Sequence, residues 1–132
     1  MAKGTPDDEY AHASENIRHY QTTRFSLLTV FIAISAGLLT VLSATSSSPA
    51  GYLSLTLKVA GLATTLLFWL LQERTMTYWY HFVLRAAELE RSLGYRLYSV
   101  RPEAGLLTSN NALRLFFLII ALFWAATMIW AP

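Results

Sequence analysis

The sequence predicts an all-α integral membrane protein, an antiparallel transmembrane helix hairpin with long cytoplasmic helical extensions and a third C-terminal hydrophobic helix. Three observations carry this. Hydrophobic residues make up 55% of the 132 and charged residues 14%, against roughly 25% charged in an average soluble domain. After Arg24 come thirty-three residues without Asp, Glu, Lys or Arg, up to Lys58. Finally, Lys and Arg fall unevenly along the chain, which sets an orientation. The absence of Cys removes disulfide frameworks, zinc ribbons and thiol nucleophiles. A net charge of +2 is too mild for a nucleic-acid protein.

Residues 1–24 read as a cytoplasmic amphipathic helix. Phe25 to Ala44 supplies the twenty apolar residues that a helix needs to cross a hydrocarbon core of about 30 Å. The acidic head before it, with Asp7, Asp8, Glu9 and Glu15, argues against a secretory signal. Residues 45–52 (TSSSPAGY) form a short external turn. Residues 53–72 form the second span, with Lys58 near its start, where it snorkels to the interface or forms a positive ring near an outer mouth. No Pro or Gly interrupts Leu62 to Leu93, so the helix is expected to continue as a cytoplasmic extension over 73–99. Residues 100–111 read as a loop ending in the capping-like Thr108-Ser109-Asn110-Asn111, and 112–131 as a third membrane helix. The turn at 45–52 has no Lys or Arg, whereas Arg74, Arg85, Arg91, Arg96 and Arg101 follow the second span. The N-terminus is therefore expected in the cytoplasm.

Two seams at 3,4 spacing predict facing helices. One holds Tyr10, Ala13, Ile17, Tyr20 and Arg24, and continues as Leu27, Phe31, Ile34, Leu38 and Val41; the other holds Trp79, Phe82, Ala86, Leu89 and Leu93. Tyr10, Ile17, Tyr20, Trp79, Phe82, Ala86, Leu89 and Leu93 are the candidate packing residues, within a subunit or between subunits. Beside the apolar seam of the first span runs a stripe of small residues: Ser26, Thr29, Ala33, Ala36 or Gly37, Thr40 and Ser43. Such residues let helices approach closely in lipid. In an oligomer their hydroxyls could instead line a narrow polar path, and Ser26, Thr29, Ala33, Gly37, Thr40, Ser43 and Lys58 are the candidate pore residues.

No catalytic constellation is present. His12, His19 and His81 stand in no metal-binding spacing, no phosphate-binding glycine loop or nucleophile elbow occurs, and neither cofactor nor metal is expected. The cytoplasmic arginines are the lead for a ligand: Arg18, Arg74, Arg85, Arg91 and Arg96 are the candidate anion-binding residues, since guanidinium forks match phosphate. Setting topology and attracting anionic lipid is the plainer role for them.

The stretches YQTTR, from Tyr20 to Arg24, and TYWYHFVLRAAELERSLGYRLYS, from Thr77 to Ser99, resemble the SLATT-type small bacterial membrane effectors of antiviral defence. The third apolar segment departs from their two-span plan. The resemblance implies a bacterial inner-membrane protein, acting as a homo-oligomer of four or more subunits. It further implies an ion-conducting pore, gated by a nucleotide or oligonucleotide messenger, that depolarises the membrane. The alternatives are a non-conducting structural or accessory subunit of a membrane complex, and a holin-like lytic protein.

Overall fold

The computed structural model describes residues 5–45, 51–100 and 108–130. Three helices make up its regular structure: α1 (Pro6–Thr45), α2 (Gly51–Leu93) and α3 (Ser109–Trp130). All three are long and apolar enough to cross a membrane. Most of the expected external turn, residues 46–50, lies outside the described residues, as do Arg101 and most of the 100–111 loop.

The starts of α1 and α3 each have a chemical cause. Pro6 occupies the first helical position of α1, where its missing N–H costs nothing. Thr5 and Asp8 form a reciprocal cap: the Asp8 N–H donates to Thr5 Oγ1 (3.3 Å), while the Thr5 N–H and hydroxyl donate to Asp8 Oδ2 (3.1 and 2.7 Å). At α3 the Thr108 hydroxyl accepts the Asn111 N–H at 3.2 Å, so that helix starts three residues earlier than expected. The expected helical extension over 73–99 ends at Leu93. Gly94 takes φ +77°, the left-handed conformation that stops a helix and favours glycine, and its N–H closes back on the Glu90 carbonyl at 2.9 Å.

The chain divides into two compact units. One comprises residues 1–26 and 72–104, the other 27–71 and 105–132. Every carboxylate of the sequence falls in the first, and only Lys58 and Arg114 carry charge in the second. In the first unit the two seams meet as expected: Ala13, Ile17, Val83 and Ala86 form the buried centre, with Tyr10, Trp79, Phe82 and Tyr98 packed around it. Tyr20 stacks against Tyr78 and Phe82 at 5.9 and 5.7 Å.

In the second unit Phe31, fully buried, lies among the rings of Phe68, Phe116 and Phe117 at 5.0 to 6.1 Å. Outward-facing positions are apolar: Val30, Ile32, Leu66, Leu67, Leu70, Ile119 and Leu122 are all exposed. That pattern suits lipid rather than water. The expected heptad register fails here, because Ile34 and Val41 face outward while Ser35, Leu38 and Leu42 are half-buried. A straight helix drifts by about 20° per heptad, enough to rotate those positions off the seam. Trp124 lies against Gly61, where the absence of a side chain admits the indole.

Candidate functional site

The first unit contains one concentrated polar arrangement, at the end of α2. Glu90 is 1% exposed and its carboxylate closes the segment after Gly94 back onto the helix. Oε1 accepts the N–H groups of Leu97 (2.8 Å) and Tyr98 (2.7 Å), Oε2 accepts that of Ser99 (2.8 Å), and the Tyr10 hydroxyl donates to Oε1 at 3.0 Å. Three successive backbone N–H groups around one anion make a nest. Burial by itself would raise the Glu90 pKa, but the hydrogen bonds from Tyr98, Ser99 and Tyr10 outweigh it and hold the group at about 2. Tyr10 is pushed up to about 12, first by burial and then by its bond to Glu90. Its ring meets those of Tyr95 at 5.5 Å and Tyr98 at 6.2 Å.

Beside this anchor opens a cleft of about 680 Å³ lined by Asp7, Tyr10, Gly94, Tyr95, Arg96 and Leu97. A smaller hollow of about 330 Å³ shares Gly94, Tyr95 and Arg96 and adds Glu90, Arg91 and Ser99. The candidate arginines therefore separate. Arg91 and Arg96 come together here, both exposed. Arg85 is committed elsewhere: its Nε donates to Glu9 Oε1 at 2.7 Å, Nη2 sits 2.7 Å from the same oxygen, and Nη1 reaches Glu88 at 3.1 Å. Those two carboxylates, Glu9 foremost, raise its pKa further. Arg74 lies 6.0 Å from the centre of the Tyr78 ring, and Arg18 is exposed on α1. Arg24, absent from the candidate set, is half-buried; burial lowers its pKa and the charge of Glu73 opposes that.

Of the candidate pore residues, Ser26, Thr29, Ala33, Gly37, Thr40 and Ser43 are all exposed along one face of α1, the side away from Phe31. Apart from its chain neighbours and the surrounding helix backbone, no described atom lies within 4 Å of where a Gly37 Cβ would be. The Thr40 and Ser43 hydroxyls donate to the carbonyls of Ala36 (2.9 Å) and Thr40 (2.8 Å), so their hydrogen-bonding needs are met along the helix. Lys58 is 4% exposed within the subunit. Its position places it on the inward seam of α2 with Gly61 and Thr65, spaced 3 and 4, and Thr65 is fully buried with its hydroxyl on the Gly61 carbonyl at 2.8 Å.

Sequence reasoning missed Glu90. Its signal was available as a carboxylate in the last turn of a helix four residues before a glycine, but helix-end carboxylates are ordinarily solvated. The aromatic partners Tyr10 and Tyr98 lie 80 and 8 residues away, and no local pattern joins them. No family model, curated protein or solved structure matches the chain.

Proposed function

We propose that the chain is a homo-oligomeric membrane effector of the bacterial inner membrane. Its subunits join through the small-residue face of α1 around an ion-conducting path, and a cytoplasmic anion of nucleotide type opens that path. Depolarisation in antiviral defence is the role this reading gives it. The observation that carries it is that six small or hydroxyl-bearing positions of α1 lie exposed on one face while its bulky Phe31 is fully buried. Among the described residues of one subunit nothing buries that face. Helices in lipid associate where small residues allow close approach, and a single subunit cannot enclose a pore. The partition of the carboxylates and nearly all cationic residues into one unit supports a cytoplasmic location for it, with the N-terminus inside.

Because the chain has no native Cys, single-cysteine crosslinking tests this directly. Thr29→Cys, Ala33→Cys and Thr40→Cys in membranes are expected to form disulfide-linked dimers on mild oxidation, whereas Ile34→Cys and Leu39→Cys, off the stripe, are not. Crosslinking that favours the off-stripe positions, or none at all, contradicts the proposed interface and supports a non-conducting accessory subunit.

A further inference from the structure

We propose that the cleft between the first turns of α1 and residues 94–97 binds a small molecule joining a planar ring to an anionic group. This deepens the reading above, on which it rests for the consequence of binding, by naming the chemistry and the place of the gating ligand. The cleft is open and shallow, with about 680 Å³ of space, so it covers one side of a small organic ligand and leaves the other in solvent. Its walls differ in character. Tyr95, whose ring also meets that of Tyr10, is 52% exposed and Leu97 is 70% exposed, a surface against which a flat ring gains contact area and stacking. Arg96 borders both this cleft and the hollow containing Arg91, so its guanidinium is the fork offered to an anionic group here, with the charge of Arg91 in the adjoining hollow. Arg85, by contrast, is held by two carboxylates.

Two further features define the ligand. The backbone nest at residues 97–99 is filled by the protein's own Glu90 carboxylate, so the ligand's anion belongs on the arginines and not on the backbone. Asp7 lines the cleft as well. Its charge works against a bare anion and accepts a hydrogen bond from an N–H or O–H on the ring. Gly94 and the Glu90 anchor fix the wall that carries Tyr95 and Arg96, which reduces the ordering cost of binding.

Ring-bearing anions come as nucleoside phosphates or as aromatic carboxylates, and titration calorimetry of the full-length chain in detergent separates them. The probes are a purine nucleoside monophosphate, an indole carboxylate, ribose phosphate, inorganic phosphate, and vesicles containing anionic phospholipid. Saturable binding of one of the first two is expected, and the stronger identifies the source. Arg96→Gln and Tyr95→Leu are each expected to weaken it at least about tenfold, equivalent to 1.4 kcal/mol. Tyr95→Phe should retain it, and Arg85→Gln should leave it unchanged. All three positions are exposed, and circular dichroism of each variant checks that it folds like the parent chain.

The proposal is overturned if neither ring-bearing anion binds, if inorganic phosphate, ribose phosphate or the vesicles compete equally, or if binding survives Arg96→Gln and Tyr95→Leu. Its failure is distinguishable from that of the pore. Ring-anion binding to a chain that carries no current keeps this site and removes the channel, whereas anion-gated currents that persist in Arg96→Gln and Tyr95→Leu remove the site and keep the channel.

Discussion

The Tyr10 hydroxyl donates a 3.0 Å hydrogen bond to Glu90 Oε1, joining the second turn of α1 to the last turn of α2 across eighty residues of sequence. Because the same carboxylate holds the N–H groups of Leu97, Tyr98 and Ser99, one side chain ties three segments of the first unit together. Removing it leaves four donors without an acceptor.

Glu90→Ala is therefore expected to cost about 1–3 kcal/mol, the range for a polar group that loses its partner, because Leu97 and Ser99 are exposed enough for water to take over their N–H groups. Glu90→Gln keeps an acceptor oxygen and should cost less. Thermal unfolding in detergent gives the ranking, and hydrogen exchange at the amides of residues 97–99 should quicken most in Glu90→Ala. Equal stability of Glu90→Ala and the parent chain would contradict the anchor.

The pH dependence of this unit follows from the same pair. Glu90 is held at about 2, below its ordinary 4.5, so its stabilisation is fully present above about 4.5 and is lost as pH falls through about 2. Tyr10 is raised from 10 to about 12. Its contribution is complete below pH 10 and disappears as pH rises through about 12. With respect to this pair, amide protection at residues 97–99 should thus be level between those limits. Ultraviolet titration should show a tyrosine step near pH 12 that Tyr10→Phe removes.

Gly61 is a position where any side chain meets the indole of Trp124. Gly61→Ala should destabilise the second unit by about 1–3 kcal/mol, the usual cost of overfilling a packed site, and Gly61→Leu should cost more. Trp124→Leu is expected to rescue part of the loss. Unfolding followed by tryptophan fluorescence in the Gly61 variants, and by circular dichroism in the double variant, measures this.

In the contacts of Arg85 to Glu9 and Glu88, Arg85 and Glu9 are nearly half exposed and Glu88 is 64% exposed. Exposed pairs contribute little and are screened by salt. Arg85→Gln and Glu9→Gln should therefore hardly move the unfolding midpoint, and what shift there is should vanish in high salt.

The three helices were legible because an apolar run long enough to span a bilayer, such as Phe25 to Ala44, can satisfy its backbone in lipid only as a helix. The packing of Ala13 and Ile17 against Ala86 was legible too, since a 3,4 seam on each helix has to be buried somewhere. The same rule failed at Ile34 and Val41, which are exposed, since a helix of 3.6 residues per turn drifts away from a seven-residue register. Lys58 is buried within the subunit although its charge argued for the surface, because its phase on α2 puts it on the inward seam with Gly61 and Thr65. The cleft was not legible at all. Asp7 and Tyr10 meet Tyr95 and Arg96 only through the folding back of two distant segments, and the carboxylate that arranges them looks, in sequence, like any glutamate near a helix end.

The central claim is that subunits assemble into a closed ring around a path lined from α1, and the oligomeric state of the full-length chain tests it most directly. Native mass spectrometry of the detergent-solubilised protein is predicted to show one discrete closed assembly of four or more subunits, which disperses when Ala33 and Gly37 are both replaced by Leu. A monomer or dimer, or a ring indifferent to those two substitutions, would contradict the account.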